Sequence, residues 1–219
     1  MEKIVVSQNK GSQIENAANK AVEILKSGGV AGLPTDTLYA LSASINNEVA
    51  VKRVFAIKNR PLSKSLPILT HSKLDVCRWA KNLSTQALSL LEAFVPGPLT
   101  LVVEKSNLVP DIISALTPTV AIRVPDSNIT QEIIRKLGFP ITGTSANKSG
   151  GANPTSAKAV IESVGTEIDL ILDAGETDNN LGSTIIDTTQ NTPSILREGI
   201  ITRAEIEQIC KIELTTPTV

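Results

Sequence analysis

Aromatic residues are nearly missing from this chain of 219 residues: three Phe, one Trp and one Tyr make up 2% of it. Its core must therefore be built mainly from Ile, Leu, Val and Ala. A surface that stacks the bases of a single nucleic-acid strand on aromatic rings is argued against for the same reason. Histidine occurs once, at His71, and cysteine twice, at Cys77 and Cys210. Without a CxxC pair or a Cys/His cluster, a disulfide scaffold and a Cys/His zinc site are both disfavoured. A lone imidazole also leaves no plausible Ser/His/Asp constellation. Charge of one sign is lacking too, with a formal net of −1, whereas a protein that grips a duplex backbone shows a basic excess. Any nucleic-acid contact is then weak, local or absent. Neither the Walker A lysine pattern nor GxGxxG occurs. The N-terminus has no secretory h-region and no run reaches membrane-spanning length, so a soluble cytoplasmic protein is expected.

What is present reads as an ordinary globular domain, 41% hydrophobic and 20% charged. One domain over 1–219 is expected, with its core at about 12–209 and a loose tail at 213–219. Helical spacing runs over 12–27, 48–58, 84–94, 128–137 and 155–164, the last started by Pro154, with a short helix or turn after Pro110. Thr202 with Glu205 three residues on marks a capping box for a final helix. Strands are expected at 30–33, 66–69, 99–104, 120–124, 169–173, 183–188 and 194–197. The alternation indicates an α/β fold, a mixed sheet with packed helices.

Polar clusters sit where these elements end, which is where α/β proteins bind ligands. Thr35-Asp36-Thr37 is either a turn that caps a helix or a set of ligand contacts. Lys58, Arg60 and Lys64 fall in one short stretch with no carboxylate between them. Such a loop stays solvated or meets an anion, and a polyphosphate is the natural partner. Arg123 ends an apolar run and needs a partner for its fork, either a protein carboxylate or that of a ligand. Thr142 to Gly150 is rich in hydroxyls, amides and glycine, fitting a plain loop or a close approach to an anion. Ser183 and Arg197 stand in two weaker segments of the same kind.

In this order the clusters resemble the YrdC-like threonylcarbamoyl-AMP synthase family. The segments that carry the likeness are Pro-Thr-Asp-Thr-Leu-Tyr at 34–39, Lys-Asn-Arg-Pro at 58–61, Ser-Lys at 63–64 and Pro-Gly-Pro-Leu-Thr at 96–100. Val-Ala-Ile-Arg-Val-Pro at 120–125, Ser-Ala-Asn-Lys-Ser-Gly at 145–150, Ser-Thr-Ile-Ile-Asp at 183–187 and Leu-Arg-Glu-Gly at 196–199 complete it. The resemblance implies a twisted mixed sheet around a positively charged cavity. It implies that ATP, L-threonine and bicarbonate are converted there to threonylcarbamoyl-AMP and pyrophosphate, with Mg2+ accompanying the nucleotide and no metal ligand assigned to the protein. A partner enzyme would then transfer the group to tRNA, which this chain binds weakly at most. Matching the motifs, Arg60, Lys64, Thr119, Ser145, Asn153 and Arg197 would contact ATP, and Lys58 with Arg60 would stabilise charge. Thr37, Arg123, Gly143 and Ser183 would contact threonine, and the Lys64 loop is a candidate lid. Two residues depart from the pattern: Ala40 stands where glycine is usual, and Leu69 where some longer relatives have histidine. The chain reads as the short, single-domain form. A same-fold paralogue with another or lost activity, and a non-catalytic RNA-binding module, are the rival readings.

Overall fold

The structure is a computed structural model that describes residues 1–6, 11–178 and 180–216. Its class is the mixed α/β fold expected, with the strands divided between two sheets rather than gathered in one. The first sheet has the order β1-β9-β2-β3-β8, from β1 (Glu2–Val5), β9 (Leu170–Asp173), β2 (Ala31–Leu33), β3 (Ala40–Ser42) and β8 (Thr144–Ser145). The second has the order β11-β10-β5-β6-β4-β7, from β11 (Ser194–Arg197), β10 (Thr184–Asp187), β5 (Leu99–Glu104), β6 (Thr119–Arg123), β4 (Ile68–Leu69) and β7 (Ile141–Thr142). Both mix parallel and antiparallel pairs.

One short segment joins the two sheets. Residues 141–142 pair with β4, and 144–145 pair with β3, so the chain passes from one sheet to the other across Gly143. A Cβ at Gly143 would lie 2.6 Å from Leu69 Cγ, so a side chain there would have to displace Leu69. Two-residue strands carry no period of their own, which is why β7 and β8 leave no trace in the hydrophobic pattern.

The helices cover these sheets as their apolar stripes dictate. Helix α1 (Gly11–Lys26) buries Ala17, Ala18, Ala21 and Leu25, and α6 (Asn128–Leu137) buries Ile129, Ile133, Ile134 and Leu137. Together with Ala31, Leu33, Leu170 and Leu172 of the first sheet they form one core cluster. The larger cluster gathers α2 (Glu48–Lys58), α3 (Lys73–Trp79), α4 (Thr85–Phe94) and α7 (Ala157–Val164) with β5 and β6. Two short helices complete the set, α5 (Asp111–Ser114) and α8 (Arg203–Cys210). The expected capping box is present in α8, where Thr202 and Glu205 exchange side-chain and backbone hydrogen bonds.

Two local expectations are corrected. Pro154 does not open α7; Ser156 is its N-cap, accepting the Ala159 N–H at 3.2 Å, while the buried Pro154 offers its carbonyl to the Tyr39 N–H. The tail is not loose through Thr215, which exchanges backbone hydrogen bonds with Pro193 and Ile195 beside a buried Leu214. Residues 217–219 of that expected tail lie outside the described residues. Replacing the true cap, Ser156→Ala, is expected to lower unfolding free energy by about 1 kcal/mol, the usual cost of losing an N-cap hydroxyl. Urea denaturation checks this, and an unchanged midpoint would contradict it.

Candidate active site

A cavity of about 650 Å³ opens where the two sheets meet. Its lining draws Thr37 from the turn before β3, Lys58, Arg60 and Lys64 from the end of α2 and its loop, and Arg123 from β6. Gly143 and Ser145 come from the sheet junction, Asn153 from the loop beyond it, Ser183 from just before β10 and Arg197 from β11. The sequence-predicted residues are thus brought together, except one. Thr119 is at the far end of β6 from Arg123, does not line the cavity, and lies within 3.4 Å of the Thr117 hydroxyl. A four-residue offset along a strand puts it roughly 13 Å from Arg123.

Three of the cations in the cavity, Lys58, Arg60 and Arg197, are held mainly by backbone carbonyls. Lys58 is the last residue of α2 and is 2% exposed. Its ammonium donates to Ser145 O at 2.5 Å, Asn147 O at 2.8 Å and Asn147 Oδ1 at 3.1 Å. An ammonium has three donors, so all are committed to protein acceptors. Lys58 therefore supplies charge and fixes the 145–147 segment, rather than offering an open donor to a ligand. The Ser149 N–H returns to the Lys58 carbonyl at 2.8 Å, wrapping this segment around the helix end. Asn147 is the hub here, since its Oδ1 also accepts from Ser145 Oγ and its Nδ2 donates to Gly151 O and Ala152 O. The sequence places Asn147 in its cluster without a role; four-way use of one amide is not readable from a loop composition.

Asn59 then turns the chain with a left-handed φ of 50°, tolerable for Asn in a C-cap. That turn places Arg60, whose Nη2 donates to Ser65 O at 2.6 Å and Nε to Lys64 O at 3.2 Å. Lys64 is exposed, and its ammonium has no hydrogen bond or ion pair among the described residues. Across the cavity, Arg197 donates to Ser183 O at 2.8 and 3.2 Å. The Ser183 hydroxyl pairs with Thr100 Oγ1 at 2.7 Å, a partner the sequence did not indicate.

Arg123 is different. It donates to Gly97 O at 2.9 Å, to Thr37 Oγ1 at 2.7 Å and to Asp36 Oδ1 at 2.5 Å. The protein carboxylate foreseen as one possible partner is thus present in Asp36. Three of the five guanidinium donors are spent, which leaves two. Burial pulls the Arg123 guanidinium below its usual range, opposed by Asp36. Burial also lowers Arg60 and Arg197. Lys58 falls to about 8, through burial first and the neighbouring Arg60 second. Among the described residues, the only carboxylate that lines the cavity is Glu198. Such an arrangement attracts and orients a polyanion, and it contains no nucleophile paired with a base.

The chain and its fold are similar to known proteins. Residues 23–199 match the Sua5/YciO/YrdC family profile, described as "Telomere recombination". The chain is 40% identical over 191 residues to a threonylcarbamoyl-AMP synthase of Pyrococcus abyssi, covering 86% of this chain and 56% of that protein. It is 35% identical over 192 residues to a putative threonylcarbamoyl-AMP synthase of Methanocaldococcus jannaschii, covering 85% and 89% respectively. The structure superposes on P. abyssi Sua5 complexed with L-threonine with a TM-score of 0.90 at 37% identity, covering 98% of this chain and 63% of that one. The chain thus spans little more than half the length of the P. abyssi relative.

The Lys58 shift has a consequence for pH. Its folded value of about 8 lies below the ordinary lysine value of 10.5, so the native state sheds this proton first. The cost of the buried charge is fully present below pH 8 and is relieved as pH rises from 8 towards 10.5. An anion in the cavity favours the charged form. Anion binding is therefore expected to take up a proton above pH 8 and to weaken as pH rises through that value. Calorimetry of tripolyphosphate binding in buffers of different ionisation enthalpy measures this uptake; affinity that stays constant from pH 7 to 9.5 would contradict it.

Proposed function

We propose, from the premise that the chain belongs to the Sua5/YciO/YrdC family, that its cavity makes threonylcarbamoyl-AMP from ATP, L-threonine and bicarbonate. The observation that carries this reading is one hollow lined by Lys58, Arg60, Lys64, Arg123 and Arg197 with a single carboxylate among its lining residues. Threonine's amine and bicarbonate give a carbamate with loss of water. A carbamate oxygen attacks the α-phosphorus, the bond from that phosphorus to the bridging oxygen breaks, and pyrophosphate leaves with the electron pair. This chemistry asks the protein for alignment and charge cancellation, not for a covalent intermediate.

Arg60 and Lys64 grip the phosphates in this reading, and Lys58 adds fixed charge behind Ser145. Arg197 and Asn153 meet the nucleotide on the opposite side. The two unspent donors of Arg123 take the threonine carboxylate, while the hydroxyls of Thr37 and Ser183 and the backbone at Gly143 meet the rest of the amino acid. Mg2+ would travel on the triphosphate. The lining offers one carboxylate and no imidazole, and no group of three or more His, Cys, Asp or Glu among the described residues could hold a metal ion. The protein residues therefore do not fit a resident metal, and no step is assigned to one. The product passes to a partner enzyme that modifies tRNA, and a net charge of −1 suits weak tRNA contact at most. The role is a cytoplasmic one, and no helix among the described residues is long and apolar enough to cross a membrane.

Pyrophosphate release is expected only when threonine and bicarbonate are both supplied with ATP. Arg60→Ala is expected to cut that rate by ~10²-fold or more, the scale for losing a charge contact that matters in the transition state. Release without either co-substrate would overturn the reaction, and a near-normal rate in the variant would remove Arg60 from it.

A further inference from the structure

Glu198 is the one feature of the cavity that an anion site does not account for. It is the only acidic residue of the lining, it is exposed, and it makes no ion pair or hydrogen bond among the described residues, even though Arg197 is its neighbour in sequence. Beside it lies a second oddity, Leu181, a cavity-lining leucine that is 51% exposed. Two glycines lock these residues together. A Cβ at Gly199 would sit 2.2 Å from Gly182 O, and one at Gly182 would sit 2.8 Å from Arg197 Nη2. The Ile200 N–H also donates to Gly182 O at 3.2 Å. The carboxylate and the apolar side chain are therefore presented by one closely packed pair of backbones.

Their position along the cavity gives them a partner. In the strand order β11-β10-β5-β6-β4, four spacings separate the β4 side, approached by the Arg60 to Lys64 loop, from β11. At the usual inter-strand distance that is roughly 19 Å. A triphosphate held by the Arg60 loop must direct the other end of its nucleotide away from that loop, across the sheet. A carboxylate is repelled by phosphate but accepts hydrogen bonds from a sugar diol, and a branched aliphatic side chain can pack against the face of a base.

We propose that Glu198 accepts a hydrogen bond from the ribose hydroxyls of the nucleotide, and that Leu181 supports its base. The pair makes the site selective for ribonucleotides. This rests on the reading of the cavity as an ATP site.

The test is calorimetric titration of wild type, Glu198→Ala and Leu181→Ala with ATP and 2′-deoxy-ATP, each with and without Mg2+. Wild type should favour ATP by about tenfold or more, the worth of one hydrogen bond to a charged group. Glu198→Ala should bring that ratio close to one by weakening ATP alone. Leu181→Ala should weaken both nucleotides and preserve the ratio. Both substitutions are at exposed side chains, and a thermal melt verifies folding. A wild type that binds both nucleotides equally would overturn the proposal, as would a Glu198→Ala ratio like that of wild type. Equal weakening of both nucleotides seen only with Mg2+ would assign the carboxylate to the metal and overturn it as well. Unchanged binding by Leu181→Ala would reject the base support. Failure of wild type to bind ATP at all would instead sink the ATP reading itself.

Discussion

The site depends on keeping several cations close together without neutralising them. A carboxylate beside each would satisfy its hydrogen bonds but cancel the charge that a polyphosphate needs. Backbone carbonyls do the first without the second. Ser145 and Asn147 hold Lys58, Lys64 and Ser65 hold Arg60, and Ser183 holds Arg197. Only Arg123 has a carboxylate, Asp36. Burial first, and repulsion from Arg60 second, lower the Lys58 ammonium, the cost of keeping like charges close in a partly dry site.

Those carbonyls have to be free of secondary-structure duties, which explains the irregular backbone around the cavity. The 141–145 segment pairs for two residues with one sheet and for two with the other. Asn59 ends α2 in a left-handed turn, so the following loop bends back over Arg60. Short strands and broken helix ends are costs in regular hydrogen bonding, offset here by charge-assisted bonds from the cations. The cores under α1, α6, α2 and α4 supply the rigidity that such a site requires.

Much of this was legible in the sequence, for reasons that differ by element. Helices α1, α2, α4 and α6 announce themselves by apolar spacing, and α8 by Thr202 and Glu205. The cations were legible because Lys58, Arg60 and Lys64 have no acid near them in the chain. What sequence could not show is how donors are spent. Arg123 offered two partners on paper, and the fold brings in Asp36, 87 residues away. Lys58 was read as a source of charge, but that all its protons go to the protein could not be seen. Thr119 precedes a matching segment, yet it stands at the other end of β6 from Arg123 and outside the cavity lining. Pro154 suggested a helix start, but Ser156, able to accept an amide hydrogen bond, took that role.

The cavity's charge is left unneutralised by the protein, and ionic strength probes this directly. The affinity for inorganic tripolyphosphate, titrated from low to high salt, should fall steeply and continuously, because screening weakens attraction between partners that each carry net charge. An affinity indifferent to salt would mean that the cations are already balanced within the protein, and this account of the site would be wrong.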